Sequence, residues 1–238
     1  MLDEISFSST EEPPCIVKTK KTKYSVVTYF KDLKLGQRGM GNLAATDENK
    51  LRQLELAADF LRSKNNPTFP HALCLHMVVC TRDDKLLIAR RSPRLYYYPN
   101  AWSCSFEENL APADFDGPES VTANWVRRAL HEELGLEMER DYSMANARIL
   151  SAFLEAEPEI LNISVCGIAR INLSSDELSE ALTGRLRADY ELTSWDYLDV
   201  IVDVKEELKK PTRDYHPTSA YRMYLTLAWY FGQAEILS

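Results

Sequence analysis

The stretch Gly117 to Leu136, GPESVTANWVRRALHEELGL, has the pattern of an amphipathic helix. Asp116, followed three residues later by Glu119, predicts an N-terminal cap, and Gly135 predicts the C-terminal stop. Aliphatic residues recur at helical spacing and predict a face turned towards a core, namely Val121, Val126, Leu130 and Leu134. We therefore expect one well-defined helix at this place in the chain.

The polar edge of this helix carries an arginine and two adjacent carboxylates. Asn124, Arg128 and Glu132 are spaced four residues apart and share one edge, with Glu133 beside them. Carboxylate oxygens suit a hard cation such as Mg²⁺, which in turn binds phosphate oxygens. An ordinary solvated helix face also carries charge pairs of this kind. The charges alone leave both interpretations open.

The run Arg128 to Leu136, RALHEELGL, resembles the second half of the Nudix box. In that pattern an arginine and a glutamate precede an aliphatic residue, a glutamate pair, a glycine and a final aliphatic residue. Ala129 departs from the pattern, because Nudix proteins carry a metal-binding glutamate at this position. The first half of the box fits less closely, since it would place a glycine at Asp114 and a glutamate at Ser120.

The resemblance implies a fold and two functions. The expected fold class is α/β (α+β), with a Nudix-like α/β/α sandwich and a mixed sheet in residues 69–238, preceded by a strand-helix extension in residues 1–68. The expected activity is that of a divergent hydrolase, which cleaves the pyrophosphate bond of a nucleoside diphosphate derivative with Mg²⁺ or Mn²⁺. The alternative is a catalytically weak or inactive Nudix-fold protein that binds a nucleotide or phosphorylated ligand in a regulatory role.

The same resemblance implies roles for residues of the helix. The catalytic candidates are Arg128, Glu119, Glu132 and Glu133. Glu132 and Glu133 would bind the metal, Arg128 would orient a carboxylate, and Glu119 would orient water or support the site. Ala129 lacks a carboxylate, and Glu107 or Glu108 is the candidate that replaces it. These two glutamates occupy the place where the family usually has a glycine-rich strand.

Arginine and aromatic residues before the box are candidates for substrate binding. Guanidinium groups bind phosphate oxygens with paired hydrogen bonds, and aromatic rings stack on a base or sugar. Packing of a long loop would explain the aromatic residues equally well. The candidates are Arg90, Arg91, Arg94, Tyr97 and Trp102.

A second resemblance, to isopentenyl diphosphate isomerase, is a minor alternative. That Nudix-fold enzyme has a cysteine after a similar tryptophan, as Cys104 follows Trp102, and an arginine pair before its box remnant, as in Arg127-Arg128. It also requires a histidine shortly after the cysteine, and Phe106 stands near that place.

Composition restricts the classes of partner. Hydrophobic residues make up 45% and charged residues 27% of the 238-residue chain, which predicts a globular protein. The net charge of -8 argues against general nucleic-acid binding, although a bound cation can attract an anionic substrate locally. Because the chain lacks a long apolar run, we expect no membrane insertion and a cytoplasmic location. A homodimer is left open. Five cysteines without a CxxC pair predict no disulfide framework or zinc site.

Periodicity and turn residues predict the remaining elements. Residues 1–16 lack periodicity and predict a loosely docked tail. The predicted strands are at residues 24–30, 71–79, 86–89, 147–154, 160–171 and 190–197, and the predicted helices are at 47–64, 174–183, 198–209 and 216–232.

Overall fold

The structure of the chain is a computed structural model. It describes residues 2–7, 15–19, 73–95, 97–116, 119–157, 160–184 and 192–237. The chain forms two compact units, one comprising Met1–Cys74 with Ala152–Ser164 and the other Leu75–Ser151 with Val165–Ser238. The strand predicted at 24–30 and the helix predicted at 47–64 lie outside the described residues. The domain boundary predicted after residue 68 remains a prediction.

The described residues contain nine strands and four α-helices. The strands are β1 Leu2–Phe7, β2 Cys15–Thr19, β3 Leu73–Cys80, β4 Lys85–Arg91, β5 Trp102–Cys104, β6 Phe106–Asn109, β7 Ala147–Glu157, β8 Ile160–Arg170 and β9 Leu192–Asp199. The helices are α1 Val121–Leu134, α2 Ser175–Thr183, α3 Asp203–Lys209 and α4 Ser219–Leu237. None of the helices in this part of the chain has the length and apolar composition needed to cross a membrane.

The main sheet has seven strands and confirms the predicted α+β class with a mixed sheet. Its central path is β5-β4-β3-β8-β7, with β6 paired to β3 and β9 paired to β4. Strand β4 runs antiparallel to β3, β5 and β9. Strands β1 and β2 pair antiparallel in a second, two-stranded sheet. The whole of β1 and the start of β2 lie within residues 1–16, which we expected to form a loosely docked tail.

The core of the sheet lies in β3 and β4. Residues Leu75 and Met77–Cys80 of β3 are almost inaccessible to solvent, as are Leu86–Ala89 of β4. Consecutive residues of a strand point to opposite faces, so these strands are covered on both faces. Gly167 of β8 packs so closely that an added Cβ would lie 2.9 Å from the sulfur of Met77.

Helix α1 is confirmed, but it begins later than predicted. Its N-cap is Ser120, whose hydroxyl accepts a hydrogen bond from the Ala123 N–H at 3.2 Å, so the cap predicted at Asp116 is wrong. The reason is a 3-10 turn at Pro112–Phe115, which takes the chain up to Asp116 in a different conformation. Gly135 ends the helix as predicted, with a left-handed φ of 62° that glycine adopts without strain.

The helix predicted at 198–209 is confirmed only in its second half. Strand β9 continues to Asp199. The Asp199 carboxylate accepts hydrogen bonds from the Ile201 and Val202 N–H groups at 3.0 and 2.9 Å. These bonds form a turn before α3 begins at Asp203. An aspartate that binds nearby backbone N–H groups favours a turn over a continuing helix.

Ser105 connects β5 and β6 in a left-handed conformation, with a φ of 61°. Its N–H and its hydroxyl both donate to the Leu87 carbonyl, at 3.0 and 2.9 Å, and the hydroxyl accepts from the Val79 N–H at 2.9 Å. This residue precedes Glu107 and Glu108, in the segment where the resemblance would place a glycine-rich strand. The hydroxyl therefore offsets the cost of a backbone conformation that glycine would adopt more easily.

Substitution of Ser105 tests this balance. Ser105→Ala keeps the strained φ and leaves the buried Val79 N–H without its acceptor, so we expect a loss of about 1–3 kcal/mol in the free energy of unfolding. Ser105→Gly loses the same hydroxyl but relieves the backbone, and should be about 1 kcal/mol more stable than Ser105→Ala. Urea unfolding of the three proteins measures both differences. An alanine variant as stable as the wild type would contradict the role of the hydroxyl.

Candidate functional site

Arg128, in the middle of α1, is surrounded by carboxylates at one edge of the helix. Its Nε and Nη2 donate to the two carboxylate oxygens of Asp114 at 2.8 and 3.0 Å. Its Nη1 donates to Glu132 Oε2 at 2.7 Å and lies 3.1 Å from Glu108 Oε1. Its Nη2 also donates to the Asn109 carbonyl at 2.7 Å. We refer to Arg128, Glu108, Asp114 and Glu132 as the Arg128 cluster.

The Arg128 cluster carries more negative than positive charge. Burial lowers the pKa of Arg128, but hydrogen bonds to Asp114 and Glu132 and the charge of Glu108 raise it by more, so the pKa lies above its ordinary value. The guanidinium is therefore always charged, and three carboxylates face one cation. A bound divalent cation would neutralise such an excess.

Glu119 lies just before α1 and pairs with the neighbouring arginine. Its Oε2 is 3.6 Å from Arg127 Nη1, and Arg127 Nη2 donates to Asn124 Oδ1 at 2.9 Å. Asn124 in turn donates to the carbonyls of Asp114 and Glu119, at 3.1 and 3.4 Å. This pair therefore fixes the segment that enters α1 beside the Arg128 cluster.

Glu107, the neighbour of Glu108 in β6, belongs to a different and more deeply buried group. Its Oε2 accepts a hydrogen bond from Arg91 Nη1, and its Oε1 accepts from Arg222 Nη2 and from the Ser103 hydroxyl. Successive residues of a strand point to opposite faces, which is why adjacent glutamates reach different arginines. We refer to Glu107, Arg91, Arg222 and Ser103 as the Glu107 cluster.

Two buried histidines lie beside the Glu107 cluster. His76 Nδ1 is 3.9 Å from Glu107 Oε1 and 3.2 Å from the Thr218 hydroxyl oxygen, which lies 2.9 Å from His216 Nδ1. Burial lowers the pKa of His216 far below its ordinary value, and the positive charge of the nearby arginines lowers it further. His216 is therefore neutral across the physiological pH range.

The three arginines predicted to bind substrate point to different places. Arg90 and Arg94 are exposed, and Arg90 Nε donates to the Asn100 carbonyl at 3.3 Å. Arg91 turns inwards to Glu107. Consecutive side chains of β4 point to opposite faces of the sheet, which explains why Arg90 faces solvent and Arg91 faces Glu107.

Arginines of the protein itself contact both aromatic candidates for substrate binding. Tyr97 is 9% exposed, and its carbonyl accepts a hydrogen bond from Arg91 Nη2 at 3.2 Å. The half-buried ring of Trp102 lies 5.3 Å from the guanidinium carbon of Arg213, which also pairs with Asp196 at 2.6 Å. Arg213 therefore covers one stacking position on Trp102.

Cys104 does not have the environment of a reactive thiol. It is fully buried, and its Sγ donates to the Ser219 carbonyl at 3.5 Å. Burial raises the pKa of this thiol to about 11, although the charge of Arg222 lowers it in part. This environment gives no support to the isomerase alternative, which relies on this cysteine.

Comparisons with protein-family models and with curated proteins found no match. Among solved structures, the chain is similar to a NUDIX hydrolase from Alicyclobacillus acidocaldarius, with 10% identity over 68% of this chain and 93% of that chain and a TM-score of 0.50. It is also similar to the NUDIX domain of Shewanella oneidensis NrtR complexed with ADP ribose, with 13% identity over 73% and 97% of the two chains and a TM-score of 0.46.

The chain has the fold of the Nudix superfamily. Within this Nudix fold, Ala129 is fully buried on the core side of α1, whereas Glu132 is exposed and Glu133 is half-buried. The helix therefore offers two carboxylates at box positions. Glu108 of β6 lies 3.1 Å from the same arginine nitrogen that pairs with Glu132, so β6 and Asp114 bring two further carboxylates to this edge.

Metal ligands are not already grouped in the described part of this Nudix fold. Within residues 73–95, 97–116, 119–157, 160–184 and 192–237, no three His, Cys, Asp or Glu side chains are placed to hold a metal ion. The carboxylates Glu108 and Glu132 turn towards Arg128 instead. The donor set is nevertheless all carboxylate oxygen, which is the chemistry that Mg²⁺ requires.

Sequence reasoning missed Asp114, Ser103 and Arg222, which belong to these clusters, and His76, which lies beside the Glu107 cluster. Asp114 was noted only as a mismatch to the box glycine, yet it forms the most buried ion pair with Arg128. Arg222 is the single cationic residue of α4 and is completely buried, and a lone arginine among the mainly uncharged residues of a helix was a signal that a buried partner exists. His76 lies in a buried strand and carried no such signal.

Removal of the Arg128 guanidinium tests the Arg128 cluster. Asp114 is only 1% exposed, so Arg128→Ala leaves its carboxylate buried without this partner, and we expect a loss of about 2–4 kcal/mol in the free energy of unfolding. Arg127→Ala is the matched control, because its ion pair with Glu119 is partly exposed and should cost about 1 kcal/mol or less. Equal losses in the two variants, measured by urea unfolding, would contradict the assigned difference.

Proposed function

We propose that the protein is a divergent Nudix-type hydrolase that cleaves the pyrophosphate bond of a nucleoside diphosphate derivative with Mg²⁺ or Mn²⁺. The observation that carries the proposal is the excess of carboxylates at the edge of α1, where Glu108 and Glu132 approach one nitrogen of Arg128. The Nudix fold supports the proposal, because the similar structure from Alicyclobacillus acidocaldarius is that of a NUDIX hydrolase.

In this proposal, Glu132, Glu133 and Glu108 hold the cation. Glu132 is 51% exposed on its side chain and is therefore accessible to an ion from solvent. We assign this role to Glu108 rather than to Glu107, because Glu107 contacts Arg91 and Arg222 on the opposite face of β6 from Glu108. When bound, the ion would neutralise charge on pyrophosphate oxygens and lower the pKa of a bound water.

The protein residues of the site position the carboxylates. Arg128 fixes Glu132 and Glu108 through one nitrogen and is itself anchored by Asp114. Glu119 and Arg127 hold the segment that leads into α1, and Glu119 is the candidate that orients water. Because Ala129 supplies no ligand, we expect weak metal binding and a slow reaction compared with a complete box.

Substrate recognition is proposed to involve the exposed guanidinium groups of β4 and the following loop. Arg90 and Arg94 are exposed to an anionic ligand, and Trp102 offers the part of its ring that Arg213 leaves uncovered. Guanidinium groups favour phosphate oxygens because their planar donors form paired hydrogen bonds.

The second candidate is a Nudix-fold protein that binds a nucleotide or phosphorylated ligand without cleaving it. One observation favours it specifically. The guanidinium of Arg128 already balances part of the charge of Glu108, Asp114 and Glu132, so these carboxylates have a cationic partner in the absence of a metal. A protein of this kind would bind its ligand independently of Mg²⁺.

Turnover measurements separate the two candidates. A panel of nucleoside diphosphate derivatives is incubated with wild-type protein and Mg²⁺ or Mn²⁺, and the products are followed by mass spectrometry. We expect turnover that EDTA abolishes and that Glu133→Gln and Glu132→Gln each reduce by about 10–100-fold or more, because each variant removes a ligand charge.

Glu137→Gln is the matched control for these variants. Glu137 is an exposed carboxylate just beyond the end of α1, and it pairs with His131 at 2.9 Å. This variant should retain wild-type turnover. Absence of turnover by the wild type, together with ligand binding that is unchanged in Glu133→Gln and in EDTA, would reject the hydrolase and favour the binding protein.

A further inference from the structure

The Glu107 cluster has the donor arrangement of an oxyanion site. Two guanidinium groups and one hydroxyl donate to the two oxygens of a single carboxylate. Arginines that converge on one anion from different elements are the usual means by which proteins bind phosphate groups. Here the anion is a side chain of the protein itself.

The donors are held in place by contacts that do not involve Glu107. Arg222 Nη1 donates to the Cys104 carbonyl at 2.7 Å, and Arg222 Nη2 donates to the Ser103 hydroxyl at 2.7 Å. Arg91 Nη2 donates to the Tyr97 carbonyl at 3.2 Å. These contacts would keep both guanidinium groups oriented if the carboxylate moved away, so another anion would meet a preorganised site.

The solvent-exposed part of the cluster belongs to Arg91 and Glu107. The side chains of Arg91 and Glu107 are 12% and 11% exposed, whereas that of Arg222 is completely buried. A ligand would therefore approach at Arg91 and displace Glu107, while Arg222 forms the base of the site. Glu107 lies on β6, a strand of four residues, which limits the number of contacts that hold it.

The charges of the named side chains favour a ligand with more than one negative charge. Two guanidinium groups face the one carboxylate of Glu107, and the adjacent His216 is neutral. A phosphate group carries a charge of about −1.5 to −2 at neutral pH and offers three acceptor oxygens. It therefore offers the two guanidinium groups more negative charge and one more acceptor oxygen than the carboxylate of Glu107 does.

We propose that Arg91, Arg222 and Ser103 form a binding site for a phosphate group, which Glu107 occupies when no ligand is bound. The tethered carboxylate competes at a high effective concentration, so a free carboxylate would displace it poorly, whereas a phosphate group has the additional charge and oxygen to do so. The proposal does not depend on hydrolysis at the edge of α1, because the site binds its ligand without a metal.

Removal of the internal carboxylate tests the proposal. Glu107→Ala and Glu107→Gln are compared with wild type in EDTA, with inorganic phosphate or pyrophosphate as the probe and chloride at matched ionic strength. We expect both variants to have a lower Tm in chloride, because two buried guanidinium groups lose their partner. Phosphate should restore the Tm in a saturable way, with a half-saturating concentration about tenfold or more below that of wild type.

Glu207→Gln is the control for the general stabilisation that phosphate gives to folded proteins. Glu207 is also a buried carboxylate and pairs with Arg213 at 3.0 Å, but it lies outside the Glu107 cluster. Its Tm should fall without selective recovery in phosphate. Equal recovery in Glu107→Ala and Glu207→Gln would overturn the proposal.

Arg91→Lys in the Glu107→Ala background tests the donors directly. Lysine keeps the charge but loses the paired donors of the guanidinium, so the half-saturating phosphate concentration should rise severalfold. An unchanged value would overturn the proposal. If the Glu107 variants do not fold, the wild type decides the question: a saturable rise in Tm with pyrophosphate that Arg91→Lys weakens supports the site, and the absence of such a rise rejects it.

Discussion

The buried ion pairs of Glu107 with Arg91 and Arg222 hold together three elements of the unit that comprises Leu75–Ser151 and Val165–Ser238. Arg91 belongs to β4, Glu107 to β6 and Arg222 to α4, so one carboxylate connects three elements that are distant in sequence. A charge in the interior is tolerated only when it is paired and hydrogen-bonded. The fully buried Arg222 therefore requires an anion beside it, and Glu107 of β6 provides that anion when no ligand is bound.

Strand β6 connects this buried group to the exposed edge of α1. Glu107 faces Arg91 and Arg222, and the next residue, Glu108, faces Arg128. The left-handed Ser105 at the start of the strand fixes which residue points to which side, because a shift of one residue would exchange the two faces. The same short strand thus positions both the proposed phosphate site and the proposed cation site.

The candidate catalytic residues could be predicted in part from local spacing. Arg128 and Glu132 are four residues apart on a helix, and the structure places them 2.7 Å from each other, as that spacing indicates. The choice between Glu107 and Glu108 as the proposed replacement for a ligand at position 129 could not be made from the sequence. It depends on which face of β6 each residue occupies, and on an arginine from α4 that follows more than a hundred residues later.

The sequence by itself determined the features that neighbouring residues specify. These include the helical periodicity of α1, its stop at Gly135, and the cap of α2, where the Ser174 hydroxyl and the Glu177 carboxylate each accept from the other's N–H. The tertiary structure alone decided that Asp114 anchors Arg128 and that Arg222 binds Glu107. The physical reason is the separation in sequence of the residues that interact. A cap or a helix face depends on residues about four positions apart, whereas a buried ion pair depends on which distant elements pack against each other.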